Sequence, residues 1–135
     1  MTIWMAVEDE SDIYDLVLEM FEMWGINGIA FDNATDAIDW LAAIEKQNTH
    51  GELPELALLD IRLPDFSGLE ISMAIRGNKW LHDIPIALMT AYHLTAAEEK
   101  QIIYYSQADI LLYKPLPGMI ELCQILEKVV HQRQQ

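Results

Sequence analysis

The sequence predicts an α/β fold in which a doubly wound parallel sheet of five strands carries five helices on its two faces. Short apolar runs alternate five times with amphipathic segments, which is typical of parallel strands joined by helices. Two of these runs are almost continuously apolar, as expected for strands that are covered on both faces. Right-handed crossovers then favour the doubly wound arrangement.

The predicted strands are the short apolar runs, and the predicted helices begin at capping residues. The strands span residues 2–7, 28–31, 55–59, 84–89 and 110–113. Ser67 and Thr95 each stand three residues before a glutamate, the form of a capping box, and Asn33 can cap the segment that follows it. Apolar residues at helical spacing predict the buried faces. These are Ile13, Leu16, Val17, Met20 and Trp24 in the first helix, Ala37, Ile38, Leu41 and Ile44 in the second, and Ile120, Cys123, Leu126 and Val130 in the last, which follows Pro117.

Length and composition predict one globular domain over residues 1–135, because the chain is 52% apolar and about one domain long. No apolar run reaches the roughly 18 residues of a membrane-spanning helix, and residues 1–10 lack the basic segment of a signal peptide. The single cysteine, Cys123, is expected to be a small buried hydrophobe, which is compatible with a reducing, cytoplasmic setting. The net charge of −14 argues against nucleic acids and acidic membranes and favours partners with basic surfaces.

Polar residues follow all five predicted strands, and those after the second strand, Asp32 and Asn33, are interpreted only as a helix cap. Glu8 and Asp9 follow the first strand, Asp60 the third, Thr90 the fourth and Lys114 the fifth. Ligands of open α/β sheets bind outside the carboxyl ends of the strands. We therefore expect these five residues to form one site.

The chemistry of this set points to phosphoryl transfer. Two like charges about 4 Å apart cost roughly 4 kcal/mol at an effective dielectric constant of 20, so clustered carboxylates call for a hard dication, and oxygen ligands suit Mg²⁺. Lys114 adds a mobile cation, and the hydroxyl of Thr90 can donate to a phosphoryl oxygen. A carboxylate nucleophile, a dication, a cation and a hydroxyl are the components that phosphoryl transfer needs.

The chain resembles the receiver domain of two-component response regulators over essentially its whole length. The matching residues are Glu8-Asp9, Asp60 with Pro64 and Gly68, Thr90-Ala91 and Lys114-Pro115, in the expected order and spacing. The resemblance implies a flavodoxin-like strand order, 2-1-3-4-5.

The resemblance also implies a role for each residue. Asp60 would accept a phosphoryl group from a histidine kinase or a histidine phosphotransfer protein, and Thr90 and Lys114 would contact the acyl phosphate. The implied Mg²⁺ ligands are Asp9, Asp60 and the backbone carbonyl of Arg62, with Glu8 acting through water.

Two features depart from the family or vary within it. Receivers usually carry an aromatic residue three positions before the lysine, whose swing couples phosphorylation to the output face, but here that residue is Leu111. The nearest aromatic residue, Tyr113, should point to the face of the strand opposite Lys114. In receivers, the residues two after the acceptor and two after the threonine flank the route of hydrolytic water. Here they are Arg62 and Tyr92, both large, which predicts slow self-dephosphorylation.

The predicted function is that of a stand-alone receiver without an effector domain, acting as a switch or phosphorelay intermediate and not as an enzyme with a turnover substrate. We expect a downstream protein to bind the face formed by the fourth helix, fifth strand and fifth helix, where Tyr104 and Tyr105 lie. The sequence predicts no nucleic-acid binding and no membrane insertion, and leaves homodimerisation open.

Three alternatives belong to other functional classes. A receiver-like interaction module that is never phosphorylated is conceivable because of Leu111. A phosphatase with an aspartyl intermediate, resembling haloacid dehalogenases, would need a second aspartate where Arg62 stands. Flavodoxin-like FMN binding lacks support, because no Ser/Thr/Gly-rich phosphate loop follows the first strand.

Overall fold

The computed structural model describes residues 1–134 and confirms the predicted fold class. All adjacent strands are parallel, and the strand order is β2-β1-β3-β4-β5. The strands are β1 (Ile3–Val7), β2 (Asn27–Phe31), β3 (Ala57–Asp60), β4 (Ile86–Thr90) and β5 (Ile110–Tyr113). The helices are α1 (Ser11–Met23), α2 (Ala34–Glu45), α3 (Gly68–Arg76), α4 (Ala96–Ser106) and α5 (Met119–Arg133).

The sheet separates two apolar cores, since successive strand residues point to opposite faces. Leu59 packs in the core under α2, α3 and α4, whereas its neighbour Leu58 packs in the core under α1 and α5. Both residues are fully buried. β3 is therefore covered on both faces, as its nearly continuous apolar sequence predicts.

The central strands reach one residue further than predicted. β3 ends at Asp60 and β4 ends at Thr90, so the sheet itself holds both residues. Asp60 lies opposite Met89 on β4, and Thr90 lies opposite Tyr113 on β5. Pairing with neighbouring strands therefore restrains the backbones of both Asp60 and Thr90.

The predicted helix caps are present, one with a different geometry. The side chain of Asn33 accepts a hydrogen bond from the backbone N–H of Asp36, and Thr95 forms a complete capping box with Glu98. Ser67 accepts from the N–H of Leu69, one residue earlier than a capping box requires. All three side chains satisfy amides that the first helical turn leaves unpaired.

The buried faces of α1 and α5 differ from the prediction. Leu16 is 47% exposed, and the larger Phe21 is buried instead. In α5, Ile120 is 73% exposed and Cys123 is only partly buried. The buried residues of α5 are Leu122, Leu126 and Val129. The sequence of α5 contains two overlapping apolar stripes, and contact with the sheet decides which one is buried.

Candidate functional site

The five residues predicted at the strand ends lie together at the carboxyl edge of the sheet. Glu8 and Asp9 follow β1, Asp60 and Thr90 end β3 and β4, and Lys114 follows β5. One carboxylate oxygen from each of Glu8, Asp9 and Asp60 lies within 4.8 Å of the others. The strand order brings these residues together, because β1 and β3 are neighbours although some 50 residues separate them.

Glu8 is the most buried acid of the cluster, with 1% of its surface exposed. Burial raises the pKa of Glu8 to about 8, and the nearby Asp60 adds to the rise. Within residues 1–134, neither carboxylate oxygen of Glu8 has a hydrogen bond of good geometry. A buried carboxylate without such a donor, next to a second buried acid, favours either a bound proton or a nearby cation.

Lys114 supplies the cationic charge of the site. Its Nζ lies 2.5 Å from Glu8 Oε1, 2.9 Å from Asp60 Oδ2 and 3.7 Å from Glu10 Oε1. Burial lowers the pKa of Lys114, but the adjacent carboxylates of Glu8 and Asp60 outweigh that effect, so the net pKa is raised. The ammonium group is therefore charged at neutral pH and partly neutralises the acids.

Asp60 and Thr90 are both buried at the carboxyl ends of their strands. The N–H of Arg62 donates to Asp60 Oδ1 at 3.2 Å, and Lys114 donates to the other oxygen. Thr90 Oγ1 accepts from the N–H of Tyr92 at 3.1 Å. The hydroxyl proton of Thr90 is thereby left to donate to another acceptor, such as a phosphoryl oxygen.

The loop between β3 and α3 folds tightly against Asp60. Arg62 and Ser67 form an isolated antiparallel bridge, and the N–H of Gly68 donates to the carbonyl of Ile61. A Cβ atom at Gly68 would lie 2.1 Å from the backbone oxygen of Asp60. Only glycine permits this close approach, so Gly68 allows α3 to begin directly beside the acid.

Arg62 and Tyr92 meet at the mouth of the site, although they belong to different loops. The Arg62 guanidinium carbon lies 4.1 Å from the centre of the Tyr92 ring, within the range of a cation–π interaction. Both residues line a cleft of 280 Å³. Its other lining residues are Asp9, Glu10, Asp60, Ala91 and Lys114.

Sequence reasoning did not identify Glu10, which lines this cleft and contacts Lys114. The available signal was its position directly after the acidic pair. Tyr113 points away from Lys114 as predicted: its hydroxyl donates to Glu99 of α4, and Leu112 packs on the opposite side of the sheet. The role of the Arg62 carbonyl as a metal ligand stays a prediction.

The acidic cluster fits a small hard dication. The three side chains of the cluster are carboxylates, and Mg²⁺ prefers oxygen ligands of this kind. The buried oxygens of Glu8 lack well-oriented donors, so a cation here would relieve the repulsion between Glu8 and Asp60.

None of the helices in residues 1–134 combines the length and apolarity needed to cross a bilayer.

Comparison with known proteins agrees with this geometry. The family model of the response regulator receiver domain matches residues 5–127. The polar-differentiation response regulator DivK of Brucella anthropi is 31% identical over 119 residues, which cover 87% of this chain and 89% of DivK. The Brucella ovis DivK has the same identity and coverage.

Solved structures share the fold. The chemotaxis protein CheY4 of Vibrio cholerae superposes with a TM-score of 0.77 at 24% identity, covering 96% of this chain and 98% of CheY4. The response regulator TrrA of Thermotoga maritima, solved in complex with Mg²⁺ and BeF, superposes with a TM-score of 0.74 at 26% identity. That match covers 96% of this chain and 99% of TrrA.

Proposed function

Because the chain belongs to the response regulator receiver domain family, we propose that Asp60 accepts a phosphoryl group from a phosphohistidine donor. The chain then acts as a Mg²⁺-dependent switch or phosphorelay intermediate in the cytoplasm. The observation that carries this proposal is the buried carboxylate of Asp60, 2.9 Å from Lys114 Nζ and within 4.8 Å of the acids Glu8 and Asp9. That this chain works alone, as a single domain over residues 1–135, stays a prediction.

In the proposed reaction, an oxygen of Asp60 attacks the phosphorus atom and forms the O–P bond while the N–P bond of the phosphohistidine breaks. The electron pair of that bond passes to the ring nitrogen, and the donor histidine, whose ring is protonated from its own protein or from water, leaves as a neutral imidazole. The ammonium of Lys114 moves with the charge, from the carboxylate to a phosphoryl oxygen, and Thr90 donates its hydroxyl proton to another. Asp9, Asp60 and the carbonyl of Arg62 would hold Mg²⁺, with Glu8 acting through water, and the ion would supply further positive charge to the phosphoryl oxygens.

The geometry of the cleft supports a long-lived phosphorylated state. Hydrolysis requires water to reach the phosphorus in line with the bond to Asp60. The stacked side chains of Arg62 and Tyr92 stand at the mouth of the 280 Å³ cleft. We therefore propose that they restrict the entry of water and slow self-dephosphorylation.

The exposed surface of α4 supports a downstream protein contact on the α4–β5–α5 face. Tyr104 is 88% exposed and Tyr105 is 60% exposed, so neither ring packs inward. Both tyrosines also line a cleft of 430 Å³ with Leu69 of α3 and Ile102 of α4. This cleft lies between α3 and α4, so a partner bound on α4 would also reach α3. Exposed aromatic residues beside an apolar cleft are typical of protein-binding surfaces.

Intact mass after incubation with acetyl phosphate, with and without Mg²⁺, tests the proposal. We expect the gain of one phosphoryl group in wild type with Mg²⁺, and no gain in Asp60→Asn. Asp39→Asn, which replaces an exposed acid of α2, controls for loss of charge and should behave like wild type.

A negative result with acetyl phosphate would be followed by a phosphohistidine donor protein. Labelling by that donor, absent in Asp60→Asn, would still support the proposal. No labelling by either donor, with the fold intact and the donors active, would refute it in favour of an interaction module that is never phosphorylated.

A further inference from the structure

Asp65 joins the loop that follows Asp60 to the start of α2. Its Oδ1 accepts a hydrogen bond from the N–H of Ala34 at 3.0 Å, and its Oδ2 accepts from the N–H of Thr35 at 2.7 Å. The hydroxyl of Thr35 donates to the same Oδ2, and the N–H of Phe66 donates to Oδ1. One carboxylate thus accepts four hydrogen bonds, three of them from α2.

This contact is more than an ordinary helix cap. α2 already has a local cap, because Asn33 accepts from the N–H of Asp36. Asp65 binds the first two amides of the helix, Ala34 and Thr35, which the Asn33 cap leaves unpaired. A negative charge is also favourable at a helix N-terminus. The hydroxyl and backbone donors of Thr35 hold the pKa of Asp65 well below its usual range, so the carboxylate is ionised at physiological pH.

The loop that Asp65 anchors also carries groups of the site. Arg62 pairs with Ser67 across the loop, and Ser67 Oγ donates to the carbonyl of Ile61. These contacts close residues 61–67 into a compact turn. The N–H of Arg62 donates to Asp60, and its guanidinium stacks on Tyr92. A displacement of the turn would therefore move both the backbone N–H of Arg62 and its guanidinium group.

We propose that Asp65 is a positioning residue for phosphoryl transfer to Asp60. By tying the turn of residues 61–67 to α2, it holds the backbone of Arg62 beside the acid, where the loop carbonyl is predicted to bind Mg²⁺. This inference rests on the proposed function. It predicts that loss of Asp65 weakens Mg²⁺ binding, although Asp65 is not itself a ligand.

The experiment compares two variants that remove different caps from the same helix. Asp65→Ala removes the cap that comes from the loop, and Asn33→Ala removes the local cap. Both should lower the thermal midpoint of unfolding. Isothermal titration calorimetry with Mg²⁺ should show about tenfold weaker binding in Asp65→Ala, the lower end of the effect of outer-shell residues on metal affinity. Asn33→Ala should bind Mg²⁺ like wild type.

Two further variants separate loop anchoring from charge. Asp39→Asn removes one acidic charge from α2 without touching the loop and should bind Mg²⁺ like wild type. Thr35→Val removes the hydroxyl donor to Asp65 while keeping a β-branched side chain, and should weaken Mg²⁺ binding in the same direction as Asp65→Ala. Hydrogen exchange of the amides of residues 61–67 should become faster in Asp65→Ala and not in Asn33→Ala.

Equal Mg²⁺ affinity in Asp65→Ala and Asn33→Ala would overturn the inference, because Asp65 would then be only a cap of α2. An equal loss of affinity in Asp39→Asn would also overturn it in favour of a charge effect. In both cases Mg²⁺-dependent labelling of Asp60 in wild type would leave the proposed function standing. If wild type neither binds Mg²⁺ nor becomes labelled, both proposals fail.

Discussion

Replacing Tyr92 by alanine removes the ring on which Arg62 stacks and should shorten the lifetime of the phosphorylated state. The guanidinium carbon lies 4.1 Å from the ring centre, and Tyr92 is 50% exposed. An exposed cation–π contact contributes about 0.5–1 kcal/mol. Each 1.36 kcal/mol corresponds to a factor of ten, so the open cleft should become about 2- to 5-fold more populated and hydrolysis faster by the same factor.

The assay follows intact mass after the phosphodonor is removed, for wild type, Arg62→Ala, Tyr92→Ala and the double variant. Because the two side chains make one contact, the double variant should hydrolyse no faster than the faster single variant. Tyr92→Phe keeps the ring and should keep the wild-type half-life. An unchanged half-life in the double variant would refute the reasoning. Additive effects of the two substitutions would show that each residue acts separately, without the contact.

Three further predictions concern the buried acid, the close approach at Gly68 and the opposite edge of the sheet. A raised pKa at Glu8 means that the folded state binds the proton more tightly than the unfolded state. Without Mg²⁺, the free energy of unfolding measured with urea should therefore fall as the pH rises from about 4.5 to 8, by at most about 1.4 kcal/mol per pH unit from this group. Glu8→Gln should lack this pH-dependent contribution. Equal pH profiles for Glu8→Gln and wild type would contradict the raised pKa of Glu8. Gly68→Ala puts a methyl group 2.1 Å from the backbone oxygen of Asp60, so it should cost about 1–3 kcal/mol of stability and slow phosphorylation. Gly51→Ala, in open space, should change neither. Phosphorylation of Gly68→Ala at the wild-type rate would argue against the close approach. Asp109→Ala removes an acceptor for Arg76 and for the backbone of β4, so it should lower the free energy of unfolding by about 1.5–3 kcal/mol. Phosphorylation should stay unchanged, because these hydrogen bonds lie at the amino edge of the sheet. Slower phosphorylation would show that the two edges of the sheet are coupled.

The sequence by itself determined the fold class and the position of the candidate site. Buried parallel strands require continuous apolar runs, and helix starts require capping side chains, so both leave local signals. Asp60 and Thr90 are recognisable because a polar residue at the end of an apolar strand needs a partner. Once five parallel strands are predicted, the carboxyl ends must meet at one edge, which places Lys114 and the acids together before any distance is known.

Only the tertiary structure decided which side chains meet across loops. The contact between Arg62 and Tyr92 and the bonds from Thr35 to Asp65, 30 residues apart, depend on how separate loops and helices pack. The predicted buried face of α5, through Ile120, was wrong, because helical spacing equally allows the stripe through Leu122 that the structure buries. Periodicity records which residues share a face, but only packing against the sheet selects the face, since burial free energy depends on the neighbours that a side chain finds.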